Sequence, residues 1–150
     1  QLVNGKTGNA GAIGSLPFYN GSTQSQLITQ SSLYLLERKL NDAGHNGQHI
    51  YESPSHWSCD TRSIEDWLSE TARGLAFATQ CAMSLLDLDG VIIDGAIPDD
   101  VKNALVAHTQ SAMETLDMRG LAQVHISEGL VGRKAQSIGS ANLALQANYY

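Results

Sequence analysis

The chain has 150 residues and a formal net charge of −6, with 42% apolar and 16% charged content. This is an ordinary soluble globular composition and suits one domain, long enough to bury roughly 70% of its unfolded surface. Its nine basic residues are scattered, which argues against a DNA-contacting surface in this stretch; no apolar run approaches the ~20 residues of a membrane span and no charged leader precedes a hydrophobic core, so neither membrane insertion nor secretion is indicated.

In chain order, residues 1–22 read as a strand edge, a turn at Asn4-Gly5 and an irregular Gly/Asn/Ser-rich segment ending at Asn20-Gly21. The chain opens at Gln1 without a methionine and runs almost at once into that strand end, as a piece of a longer polypeptide would. A helix is expected from Ser22 or Thr23 to about Ala43, where Leu27, Ile28, Leu33, Leu36 and Leu40 recur at three-to-five-residue intervals and Gly44 is placed to end it. Residues 44–60, with Pro54, read as a loop holding at most a short helical piece. Helical patterning is strongest over 63–86: Ser63 can cap the first turn, with Asp66 three residues on, and Ile64, Trp67, Leu68, Ala72, Leu75, Ala82 and Leu86 fall largely on one face. "GVIID", residues 90–94, suits a short, fully buried strand. Pro98, Asp99 and Asp100 start another helix with an acidic first turn, and Gly120 follows its end. "AQVHIS", 122–127, alternates like a strand. A last helix from Val131 to about Tyr149 carries Ala135, Ile138, Ala141, Leu143 and Leu145 as apolar positions. Helices separating short buried strands imply an α/β layer architecture with a partly parallel sheet.

"NGKTGNAGAIGS", residues 4–15, brings a Gly-Lys-Thr triplet into a glycine-rich run. A P-loop needs a glycine five positions earlier and a helix after the triplet. Here that glycine would lie before Gln1, and Gly8, Gly11 and Gly14 punctuate the residues after Lys6, so a glycine-rich turn is the better reading. His45, His49 and His56 include an HxxxH spacing, but Gly44, Gly47 and Pro54 break the helix a zinc site would need, which leaves loop histidines. His108 and His125 sit singly, as polar or partly buried side chains. Cys59 and Cys81 form neither a disulfide framework nor a metal motif, and Cys81 reads as a small buried hydrophobe. Asp87 and Asp89 read as a polar turn. Asp94 stands at the carboxyl end of "VII" before a turn and a helix, where ligands of open α/β sheets lie; an aspartate there repels phosphate, and its plain reading is a capping carboxylate that bonds nearby N–H groups. No nucleophilic triad and no Gly-x-Ser-x-Gly elbow is present.

Three segments together resemble the ROK proteins, sugar kinases and sugar-responsive transcriptional repressors. "LVNGKTGNAGAIGS" is similar to the family's strand and turn leading to Gly-x-x-Gly-Glu-(Ile/Leu)-Gly-His. "LLDLDGVIIDGAIP" is similar to its Leu-(Leu)-x-Pro-x-x-Val-Val-(Ile/Leu)-Gly-Gly-Gly stretch, and "GLVGRKAQSIGSANLAL" to its closing Gly-x-x-Ala-x-x-x-Gly-Ala-Ala helix. Order and spacing agree along nearly the whole chain. The resemblance implies an α/β fold, part of a ribonuclease H-like (actin-like ATPase) domain with a mixed sheet and flanking helices. Residues 1–150 would be a single domain, the C-terminal part of the effector-binding and dimerisation lobe.

Departures from the family pattern shape the functional expectation. Ala12 and Ser15 stand where the family has a sugar-contacting glutamate and a histidine of the sugar and zinc site. Its cysteine-rich zinc motif is replaced by "NGSTQSQLIT", with Ile28 at the second sugar-binding glutamate, and two nucleotide-binding glycines become Asp94 and Ala96. No metal, no cofactor and no catalytic residue are therefore expected. Asn9, Ser15, Tyr19 and Gln26 could offer neutral hydrogen bonds to a ligand. The resemblance then implies a noncatalytic region of a cytoplasmic bacterial regulator, binding a sugar or a derivative of one, self-associating as a homodimer, and reaching DNA only through an upstream domain. The alternative is the C-terminal half of an ATP-dependent sugar kinase. The apolar faces over Ile64–Leu86 and Val131–Leu145 could form core or interface, core being the preferred reading.

Overall fold

The computed structural model describes residues 5–58 and 60–149; the strand edge expected over the first residues and Cys59 lie outside them. A 3-10 turn at Ile13–Ser15 leads into strands β1 (Pro17–Asn20) and β2 (Thr23–Gln26), then helices α1 (Leu27–Gln30), α2 (Leu33–Asp42), α3 (His49–Glu52) and α4 (Thr61–Leu85). Strand β3 (Gly90–Ile93), helix α5 (Asp99–Glu114), strand β4 (His125–Glu128) and helix α6 (Ala135–Tyr149) follow. The chain is thus a mixed α/β structure. Where one mixed sheet was expected, the described residues form two separate two-stranded sheets, β1-β2 antiparallel and β3-β4 parallel.

The expected helix from Ser22 or Thr23 is corrected in two places. Residues 23–26 pair as a strand, with Asn20 opposite Thr23 and Phe18 opposite Ser25. The two-residue loop Gly21-Ser22 sets this register; Gly21, at φ +66°, supplies the positive φ at the first loop position that twisted hairpins require. After α1 the helix breaks at Ser31-Ser32, because the Ser32 hydroxyl accepts from the Leu35 N–H at 3.3 Å and so caps a new helix. Gly44 ends α2 as expected, with the paired hydrogen bonds of a Schellman motif, His45 N–H to Leu40 O at 2.9 Å and Gly44 N–H to Asn41 O at 3.0 Å. The cap of α4 is Asp60, ahead of the expected Ser63: its carboxylate accepts from the Ser63 N–H and hydroxyl at 2.9 and 2.7 Å.

Helix α4 organises the interior. One core joins Leu36 and Leu40 of α2, Ile50 of α3, Trp67, Leu68 and Ala72 of α4, and Val101 and Leu105 of α5. Trp57 stands edge-on to Trp67 at 6.2 Å between ring centroids, and both indole N–H groups are satisfied, by Ile50 O at 3.1 Å and Ser32 O at 3.0 Å. Farther along α4, Phe77 and Ala78 pack with Phe18 and Leu27, which fixes the hairpin. Gly74 lies at this crossing, where a Cβ would come within 2.5 Å of Ser31 Oγ and 2.7 Å of Leu27 Cδ1. Cys81, on the same helix, is half-buried.

Helix α5 crosses over between parallel β3 and β4, a β-α-β unit. "GVIID" is not the fully buried strand expected: Ile93 packs toward the core, while Ile92 is 70% exposed. No element among the described residues covers its outward face. Nor do the apolar positions of α6 whose side chains are described supply core, since Ile138, Leu143 and Leu145 are each more than half exposed.

Leu36, fully buried at the α2–α4 contact, separates these two kinds of apolar position. Leu36→Ala is expected to cost about 2–5 kcal/mol in urea unfolding, whereas Ile92→Ala changes stability by about 0.5 kcal/mol or less. Equal losses at both positions would contradict this placement of the core.

Candidate functional site

Two regions carry residues singled out by the sequence. The first is the glycine-rich segment. Gly5, Gly8 and Gly11 all adopt positive φ and no helix follows Lys6, so the Gly-Lys-Thr triplet lies in a turn. The 3-10 turn holding Ser15 packs on α1, and the Ile28 side chain comes within 3.4 Å of a Cβ placed on Gly14. The segments carrying Ala12 and Ile28, the two positions at which the resemblance implies lost carboxylates, are thereby brought together. Ile28 also lines a cleft of about 660 Å³ with Tyr34, Arg38 and Glu70; across it the Lys39–Glu70 ion pair spans 3.1 Å. Asn9, Ser15, Tyr19 and Gln26 are all exposed. Hairpin register puts Tyr19 and Gln26 on one face of the β1-β2 ribbon, opposite buried Phe18. Tyr19 lines a different cleft from Ile28, one it shares with Phe18, Arg73 and Phe77.

The second region is built at the carboxyl ends of β3 and β4. Asp94 follows the last residue of β3, and its carboxylate takes three backbone N–H groups: Gly95 at 2.8 Å on Oδ1, and Gly132 at 2.9 Å and Val131 at 3.1 Å on Oδ2. The side chain is 21% exposed. Gly132, ahead of Gly95, Val131 and the Lys102 charge, holds the carboxyl below the usual aspartate range against the opposing effect of burial. The capping reading of Asp94 thus describes what it does, though two of the groups it caps lie 37 and 38 residues away.

Lys102, one turn into α5 and 5% exposed, completes the arrangement. Its ammonium donates to Gly129 O at 2.8 Å and lies 3.2 Å from Asp99 and 3.5 Å from Asp94. Burial by itself lowers its pKa, but the two carboxylates more than offset that and the net shift is upward. Gly129 closes the site from the other strand. Its N–H donates to Ile93 O at 2.8 Å, and any Cβ there would collide with the Asp94 side chain, so only glycine fits. Beyond this clasp a cleft of about 380 Å³ is lined by Gly95, Ala96, Pro98, Val131, Arg133 and Lys134. It offers cationic side chains at its rim, while the loop N–H groups that would receive an anion are already taken by Asp94. The sequence reading missed Lys102, Gly129, Arg133 and Lys134; the i,i+3 spacing of Asp99 and Lys102 was the available signal.

His45, His49 and His56 stay in the α2–α4 connection, His49 opening α3, and among the described residues no group of three metal-ligating side chains forms. His108 lies 3.8 Å from Glu65 across α4 and α5, and His125 opens β4, exposed.

Because Asp94 has a depressed pKa in the fold, its contribution to stability is complete above the aspartate pKa of the unfolded chain and is lost as pH falls through the folded value. Asp94→Asn is therefore expected to lower Tm by a constant amount from neutrality to about pH 5 and by a shrinking amount below that. A Tm difference that persists undiminished in acid would show that the charge of Asp94 is not what binds the two loops.

No family model and no curated protein matches the chain, but solved structures do. The crystal structure of a ROK hexokinase from Thermus thermophilus matches with a TM-score of 0.65 at 16% identity, over 98% of this chain and 52% of that one. A ROK family protein from Streptococcus pneumoniae TIGR4, in complex with sucrose, matches with a TM-score of 0.68 at 16% identity over the same shares of the two chains. The chain therefore spans about half the length of these structures, and its fold is that of half a ROK-family protein.

Proposed function

We propose that this chain is part of the C-terminal lobe of a ROK-family transcriptional regulator, with a ribonuclease H-like, actin-like fold, binding a sugar or a derivative of one and self-associating without catalysis. The observation that supports this most directly is the Asp94 clasp. An aspartate carboxylate occupies the three N–H donors of the strand-end loops, so a phosphate entering there meets a fixed negative charge in place of those donors. Ala12 and Ile28 support the same reading from the other region, as two apolar side chains where a hexose-binding ROK site would use carboxylates. Each lost polar partner of a buried ligand group weakens binding by about 1–3 kcal/mol, so an effector of this protein makes different contacts from those of the family's sugar substrates. DNA contact belongs to an upstream domain, consistent with the net charge of −6 and the scattered basic residues here. The setting is the bacterial cytoplasm, and the assembly a homodimer.

The likeness to a ROK hexokinase favours a second reading, in which the chain is half of an ATP-dependent sugar kinase. Titration calorimetry of the full-length protein with ATP and a panel of sugars that includes glucose and sucrose separates the two. The regulator shows no ATP binding and makes no phosphorylated product while responding to at least one sugar; ATP binding together with phosphorylated sugar would establish the kinase instead.

A further inference from the structure

At the end of the β-α-β unit opposite the Asp94 clasp, two depressions adjoin. One, of about 290 Å³, is floored by Met113, Met118, Leu121 and Val124. The other, of about 330 Å³, is lined by Leu85, Leu86 and Leu88 together with Ser84 and Asp87, and more of its surface is polar than apolar. Leu121 and Ala122 line both, so the two make one groove running from the end of α4 past the end of α5. Its apolar wall is open to solvent: Leu85 is 82% and Leu86 59% exposed. A methionine-bearing apolar floor accommodates partners by changing rotamer, and exposed apolar area of this kind marks interaction surfaces.

The charge around the groove has one sign. Asp87 and Glu114 stand exposed in its lining and Asp89 beside it, and none makes an ion pair among the described residues. No Lys or Arg among the described residues lines it. Nearby Arg119 is bound by both oxygens of Asp117, and His125 is the remaining basic side chain of the lining. The outer edge of β4 does not invite an added strand. Gly129 N–H bonds to Ile93 O, so residue 126 presents its backbone to the outside of the sheet, and there Ile126 O already accepts from Gln110 Nε2 at 3.0 Å. With that carbonyl taken, recognition falls to side chains in the groove, the mode by which an amphipathic helix binds.

We infer that this groove docks an amphipathic helix of a partner protein, apolar on the face that enters it and carrying Lys or Arg along its flanks. This goes beyond the regulatory reading and does not depend on it. The test uses the full chain and a designed Leu/Lys amphipathic helix of about 18 residues, with a Leu/Glu peptide of the same pattern as control. Fluorescence anisotropy is expected to show one-to-one binding of the Leu/Lys peptide and none of the control. Leu86→Ser, and separately the surface pair Asp87→Lys with Glu114→Lys, should weaken it about ten-fold or more, while Glu52→Lys, on α3 away from the groove, leaves it unchanged. Absence of binding would overturn the inference, as would an equal loss in Glu52→Lys, which would mean general attraction to an acidic protein. Sedimentation that finds a dimer abolished by Leu86→Ser would give the groove to a second copy of this chain and overturn it too.

Discussion

The carboxylate of Asp94 ties together three parts of the chain, one of them distant in sequence. It gathers N–H groups from its own turn and from residues 131–132, and through Lys102 it reaches the first turns of α5. Its presence imposes conditions elsewhere. An ammonium as enclosed as that of Lys102 is tolerable only with charge partners and a carbonyl to receive its protons, which Asp94, Asp99 and Gly129 supply. Residue 129 must lack a Cβ because the Asp94 side chain fills the space. A single acidic residue at a strand end thus entails a glycine 35 positions later (94 to 129) and a lysine on the intervening helix, and all three are present.

Legibility in the sequence followed the strength of local signals. Helix α4 was readable because its apolar positions recur at helical period over many turns, α5 because Pro98, Asp99 and Asp100 mark its start, and the Schellman end of α2 because Gly44 stands at its break. The β1-β2 hairpin was not. "TQSQ" has no apolar alternation, and among the described side chains of the facing strand only Phe18 is buried, so the strand signal was confined to the two-residue loop that reverses the chain. Asp60 displaced Ser63 as the cap of α4 because the serine hydroxyl, three residues further on, serves better as donor to the aspartate than as acceptor. In the candidate site Asp94 was legible as a capping group, while its distant partners were not: contacts across 37 and 38 residues arise only once the crossover brings β3 and β4 side by side.

Hydrophobic period reports that a face gains by burial without saying what buries it. Leu36 and Leu68 find α2, α4 and α5 packed together, whereas Ile92 of β3 and Ile138, Leu143 and Leu145 of α6, equally apolar, stay more than half exposed. At about 25 cal/mol per Å² of apolar surface removed from water, the first group supports the fold and the second is surface on which further stabilisation can be built. The chain accounts for 52% of the length of the ROK structures it matches.

The clasp and the acidic groove lie at opposite ends of the same helix. Sixteen residues of α5 span roughly 24 Å, and the helix is tied to the β4 segment at both ends, by Lys102 to Gly129 O at 2.8 Å and by Gln110 to Ile126 O at 3.0 Å. A helix held at two points does not slide along its strand without breaking one of the two bonds.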